Sequence, residues 1–190
     1  QGMVDITGYP KAQMAFMQTV WGMRKAPYLA VRPVNHSGET PVKGAWQFTN
    51  AIASWNWQGY EGKKTVAEVY SSAYAVRLLL NGKKIGEKRV KKYKALFNVR
   101  YAPGTLVAVA LDESGREVGR SELKTGSRET FLRVKTDKTA LRANGEDLCF
   151  AEIEFVDSRG QRKPYIEQPV ELTLSGGGAE LLGFGSALNK

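Results

Sequence analysis

The stretch from Val66 to Val90 restricts the fold of this chain more than any other part of the sequence. Val76, Leu78 and Leu80 alternate with Arg77 and Leu79, and then Asn81-Gly82 supplies two residues that tolerate a positive φ. Lys83, Lys84 and Ile85 open a return strand. A two-residue Asn-Gly loop favours a type I′ turn, whose twist matches that of the strands it joins. The stretch therefore predicts a β-hairpin, with no pair of carboxylates, metal-ligand cluster or nucleophile arrangement beside it.

The same period of two runs on from Gly59 to Lys124. Val66, Glu68 and Tyr70 oppose Ala67 and Val69, and Ala95, Phe97, Val99 and Tyr101 alternate with Leu96, Asn98 and Arg100. Ala102-Pro103-Gly104-Thr105 carries proline and glycine where a type II turn needs them. Leu106 to Leu111 is apolar on both faces and reads as a central strand, and a last strand follows near Glu117 to Lys124. Together with Tyr28–Arg32 upstream, these short strands and their turns predict a β-sandwich over residues 25–126. A second sandwich is expected over 127–190, cut short. Its strands fall near Leu132–Lys135, Leu148–Val156 and Val170–Ser175, with Cys149, Ala151, Ile153 and Phe155 on its core face.

Residues 1–24 have a different character. Pro10 suits a first helical turn, Met14, Met17 and Trp21 form a stripe that Phe16 and Val20 widen, and Gly22 can close the helix in a left-handed cap. This stripe is expected to be the buried face. Trp55 and Trp57, two residues apart, share one face if their segment is a strand. Trp46, Trp55 and Trp57 read first as packing residues, at a core edge or between domains. The alternative is a carbohydrate platform formed with Tyr60. Gly176-Gly177-Gly178 lacks the helix and Gly-Lys-Ser/Thr of a phosphate loop.

Charge raises one further possibility. The chain of 190 residues carries a formal net charge of +9, and Lys83, Lys84, Lys88, Arg89, Lys91, Lys92 and Lys94 lie close together. They read first as a solvated face that discourages edge pairing, and second as a polyanion site. No recognition-helix or RNP-type pattern accompanies them, so no specific nucleic-acid partner is expected. A single cysteine excludes an internal disulfide framework, and one histidine, His36, argues against a His-based metal site or a Ser-His-Asp triad. No cofactor and no membrane partner are expected, and the compartment, cytoplasmic or exported, is left open.

These motifs occur together in one family. Val-Asp-Ile-Thr-Gly-Tyr-Pro-Lys (4–11), Ser-Trp-Asn-Trp-Gln-Gly-Tyr-Glu-Gly-Lys (54–63), the hairpin over 68–86, Tyr-Ala-Pro-Gly-Thr-Leu (101–106) and Asp-Leu-Cys-Phe-Ala-Glu-Ile-Glu-Phe-Val-Asp-Ser-Arg-Gly (147–160) resemble the C-terminal part of a bacterial family 2 glycoside hydrolase of the β-galactosidase type. The resemblance implies a mostly β chain of two immunoglobulin-like sandwiches in tandem, preceded by one leftover helix of a (β/α)8 barrel in residues 1–24. It implies that both catalytic carboxylates lie upstream, on barrel strands, and that no residue here is catalytic. The sandwiches are then expected to brace the barrel, their main partner, and to help shape the substrate entrance. Without that barrel, the helix at 10–21 is expected to dock on the first sandwich or to mediate self-association.

Overall fold

A computed structural model describes residues 2–4, 10–39 and 48–185. The expected helix is present as α1 (Ala12–Val20), followed by β1 (Tyr28–Val31), a short 3-10 turn at Val34–His36, and then β2 (Lys64–Tyr70), β3 (Ala75–Leu80), β4 (Lys83–Arg89), β5 (Lys94–Arg100), β6 (Thr105–Leu111), β7 (Glu117–Lys124), β8 (Phe131–Thr136) and β9 (Ala151–Val156). The chain is mostly β. Among the described residues the strands form three antiparallel sheets, ordered β1-β2-β5, β4-β3-β6-β7 and β8-β9.

The first two sheets pack face to face. Leu29, Val31, Ala67, Val69, Phe97 and Val99 from one meet Val76, Leu78, Leu106 and Ala108 from the other. Alternation explains which residues face inward, since β5 reads buried at Ala95, Phe97 and Val99 and exposed at Leu96, Asn98 and Arg100. The apolar β6 lies between β3 and β7, as its sequence predicts. Asn81 and Gly82 both adopt positive φ (50° and 78°), so the Asn-Gly hairpin forms as expected. Asn81 does more than turn the chain. Its side chain donates to the Pro103 carbonyl at 2.9 Å and accepts from the Thr105 amide at 2.8 Å, tying the hairpin to the neighbouring turn.

The hairpin that passes the chain from β4 to β5 solves the same problem with less suitable residues. Lys91 and Lys94 exchange backbone hydrogen bonds at 3.0 Å in both directions, and the loop residues Lys92 and Tyr93 sit at φ 49° and 62°. Left-handed backbone costs ordinary L-residues about 1–2 kcal/mol each. Replacing the pair by Asn-Gly (Lys92→Asn with Tyr93→Gly) is therefore expected to raise stability by about 1 kcal/mol after glycine's extra unfolded-state entropy is deducted. A urea midpoint that fails to rise would show that the loop is held by contacts of the Tyr93 ring instead.

Three expectations need correction. First, α1 buries Ala12, Gln13, Ala15 and Thr19, not the Met14, Met17 and Trp21 stripe. Small side chains let the helix approach the outer face of β1-β2-β5, where Phe16 meets Phe48 and Tyr70 edge-on at 5.2 and 5.4 Å. Trp21 is left 59% exposed. Second, Val170 to Ser175 forms no strand, and the described residues of the second set hold two strands, β8 and β9. Third, the face of β9 expected to be core is only half-buried at Ile153 and Phe155. Ala151 is exposed and Cys149 only half-buried, whereas Glu154 and Val156 are buried. The inward position of Glu154 is sustained by charge: Arg133, Arg162 and Lys135 surround its carboxylate at 2.6, 2.8 and 3.5 Å. Burial alone would raise its pKa, but the hydrogen bonds and charges of these cations outweigh that and hold it below the ordinary carboxylate value. No helix among the described residues is long and apolar enough to cross a membrane.

Candidate functional site

The segment Ser54-Trp55-Asn56-Trp57 leaves the first sheet and runs irregularly, not as a strand. Both indoles nevertheless point into the same core, at 0% and 1% exposure. Trp55 donates its indole N–H to the Ala102 carbonyl at 2.9 Å and meets Tyr101 edge-on at 5.0 Å. Trp57 donates its indole N–H to the Ser54 carbonyl at 3.2 Å, and its backbone N–H reaches the Tyr101 hydroxyl at 3.3 Å. Burial raises the Tyr101 pKa against the lowering effect of its hydrogen bonds, so the phenol stays neutral and able to donate. Rings enclosed in this way present no face to a sugar, and the packing reading of Trp55 and Trp57 is the one the geometry supports. Trp46 lies outside the described residues, as do Gly8 and Tyr9 at the start of the chain and residues 186–190 at its end.

Tyr60 is half-buried for a related reason. Tyr165, from the segment after β9, stands over Trp57 at 6.0 Å and over Tyr60 at 5.8 Å. Polar groups complete this joint. Asn56 donates to the Arg162 carbonyl at 3.3 Å and accepts from the Gly126 amide at 3.3 Å, while Gln58 donates to the Gly126 carbonyl at 2.8 Å. Asp157, buried, accepts from Ser127 on one oxygen and from Arg159 and Gln161 on the other, each at 2.8 Å. Desolvation would raise its pKa, but these three amides and the Lys163 charge keep it below the ordinary value. Lys163 is itself buried, with Nζ on the Arg128 carbonyl and the Thr130 hydroxyl at 2.7 and 3.0 Å, and burial lowers its pKa. Sequence periodicity did not reveal Tyr165 or Asn56 as joint residues, whereas Gly126 falls at the expected boundary between the two sandwiches.

The lysine-rich hairpin is divided in three dimensions. Lys84 pairs with Glu87 at 3.0 Å, and Lys88 donates to the Leu96 carbonyl at 2.7 Å. Arg89 lies over Tyr74 at 4.4 Å, and Lys94 is enclosed by Phe48 and Phe16 at 4.0 and 4.2 Å. The cations without a partner among the described residues are Lys83 at one end of β4 and Lys91 and Lys92 beyond the other.

Among the described residues, carboxylates do not converge on one site. Glu68 is buried between Arg32 at 2.7 Å and the Tyr70 hydroxyl at 2.8 Å, and burial followed by the Glu68 charge pushes the Tyr70 pKa far up. Glu61 accepts from the Gly59 amide, and Asp157 is committed to its turn. Among the described residues no group of three or more His, Cys, Asp or Glu side chains could hold a metal ion.

The model of glycoside hydrolase family 2 C-terminal domain 5 matches residues 132–190, and a domain of unknown function, DUF4982, matches residues 62–119. A β-galactosidase of Bacteroides ovatus is 29% identical over 180 residues, which cover 93% of this chain and 18% of that protein. A β-glucuronidase of Formosa agariphila is 25% identical over 142 residues, or 71% of this chain and 14% of its own length. The solved structure of a glycosyl hydrolase family 2 member from Bacteroides cellulosilyticus superposes with a TM-score of 0.68 at 33% identity, covering 85% of this chain and 22% of that one. The chain therefore spans less than a quarter of the length of each of these proteins.

Proposed function

From its standing as a C-terminal region of a family 2 glycoside hydrolase, we propose that this chain supplies no catalytic group and braces the catalytic barrel of a β-galactosidase-type enzyme. In this reading residues 1–24 are the tail of the barrel, 25–126 a first accessory sandwich and 127–190 a second, immunoglobulin-like one. The parent hydrolyses β-galactosides or related glycosides. Retaining glycosidases need two carboxyl groups about 5–5.5 Å apart, one as acid/base and one as nucleophile. The buried carboxylates Glu68, Glu154 and Asp157 are instead taken up by arginines, lysines or backbone amides.

The observation that carries the bracing role is the outward face of α1. The helix packs its small residues on the sheet and leaves Trp21 and Met23 59% and 73% exposed, beside half-buried Met14 and Met17. An apolar strip this long, fixed on a rigid support, suits a barrel wall. In the isolated chain the same strip offers a surface for self-association.

Two measurements test the reading. The isolated chain is expected to release no chromophore from aryl β-galactosides or β-glucuronides, and turnover above a blank would overturn the non-catalytic assignment. Trp21→Lys is expected to leave the isolated chain's stability within about 0.5 kcal/mol of the parent sequence, as for an exposed site. The same change should weaken binding to a separately produced barrel portion of the parent enzyme. Unchanged binding would overturn the bracing role.

A further inference from the structure

The outer face of β1-β2-β5 is covered by α1 only at one end. At the other, Arg32, Lys64, Val66, Asn98 and Arg100 line a hollow of about 390 Å³, closed on one side by the segment Pro33–Glu39. That volume lies in the range of small-ligand sites and fits one sugar ring with its substituents.

The cations around this hollow repel one another. Lys64 and Arg100 stand directly opposite one another in the β2–β5 register, and like charges so placed destabilise a sheet. Arg32 adds a third cation. Its Nε is held by Glu68 at 2.7 Å, and its terminal nitrogens have no partner among the described residues. A buried carboxylate thus fixes the guanidinium plane and leaves its other edge open, which is the geometry for a second, bidentate carboxylate. Arg100 spends one terminal nitrogen on the Gly62 carbonyl at 2.9 Å, and Lys64 Nζ has no partner among the described residues. The one carboxylate among the described rim residues, Glu39, is taken by His36 at 3.0 Å. The wall is positioned by Ser37, whose hydroxyl donates to the Lys64 carbonyl at 2.7 Å, and by Thr65, which donates to the Arg32 carbonyl at 2.8 Å. Val66 gives an apolar floor and Asn98, opposite it, an amide able to donate and accept.

We propose that this hollow binds a carboxylate-bearing ligand of single-sugar size, the carboxylate meeting Arg32 and neutralising the opposed Lys64 and Arg100. The site is independent of the bracing role, because binding is read on the isolated chain and needs no catalytic group. Titration of the chain with sodium glucuronate, followed by amide NMR, is expected to give saturable shifts at Arg32, Val66, Asn98 and Arg100. Glucose at the same concentrations should give none. The double variant Lys64→Gln with Arg100→Gln should bind glucuronate at least about tenfold more weakly, by loss of two charge-assisted contacts. It should also melt no lower than the parent chain, since the opposed charges are gone. Absent or unsaturable shifts, an equal response to glucose, unchanged affinity in the variant, or equal affinity for inorganic sulfate would each overturn the assignment.

Discussion

Trp55→Ala is expected to lower the stability of the chain by about 3–5 kcal/mol, the range for removing a large aromatic from a packed core. Trp55 is fully buried, and the loss is not of area alone. Its indole satisfies the Ala102 carbonyl, which would lie unpaired beside the cavity. Its ring also sets the tilt of Tyr101, whose hydroxyl meets the Trp57 amide and the Thr125 side chain, both at 3.3 Å. Thr125 in turn donates to the Trp55 carbonyl at 2.8 Å. Natural domains are stable by about 5–15 kcal/mol, so the change removes a large fraction of the total. Urea denaturation followed by tryptophan emission measures it. A loss below about 1 kcal/mol would mean that the indole behaves as a surface group, as a sugar-stacking tryptophan would.

Gly126→Ala is expected to cost about 2–4 kcal/mol, through a different mechanism. A Cβ at this position would lie 1.8 Å from Asp157 Oδ2 and 2.8 Å from its Cγ, with Asn56 Nδ2 at 3.0 Å. The carboxylate has no slack to move, because it is held by Ser127 on that oxygen and by Arg159 and Gln161 on the other. Displacing it leaves buried polar groups unpaired, on top of the steric cost. Gly126 also receives Gln58 and donates to Asn56, so the substitution strikes the joint between the first sheets and the β8–β9 segment. Trypsin cleavage near Arg128 should accelerate in the variant, and an unchanged cleavage rate with unchanged melting would refute the role given to the joint.

The same joint sets an acid limit. The folded pKa of Asp157 lies below its unfolded value of 3.8, so its contribution is fully present above that pH and is lost as pH falls through the folded value. Glu154 acts in the same direction from its own unfolded value of 4.5. The β8–β9 segment is therefore expected to loosen in acid, and the Gly126→Ala chain, its Asp157 contacts already broken, should show a smaller acid-dependent loss.

Much of the first sandwich was legible in the residues. The Asn81-Gly82 turn, the alternation of β5 and the apolar β6 are local statements, set by backbone preference and by period, and each appears where it was expected. The helix existed on paper as well, with its Gly22 cap at φ 72°. Its buried face did not follow, because Met14, Met17 and Trp21 make the stronger hydrophobic stripe but Ala12 and Ala15 allow the closer approach. Val170 to Ser175 alternates as a strand does yet finds no partner among the described residues, since period alone supplies no hydrogen-bonding neighbour. The tryptophans were visible as aromatic mass, but Trp57 and Tyr165, more than a hundred residues apart, were not visible as neighbours.

By itself, then, the sequence determined what each short segment prefers: where the chain turns and which residues alternate. Only the tertiary structure decided which of two apolar faces α1 would hide, that Trp55 and Trp57 would serve the core, and that Lys64 would stand opposite Arg100 beside a fixed Arg32. The reason is physical. Turn and period depend on neighbours along the chain, whereas burial and charge pairing depend on whichever distant surface arrives, and that is settled only when the sheets close.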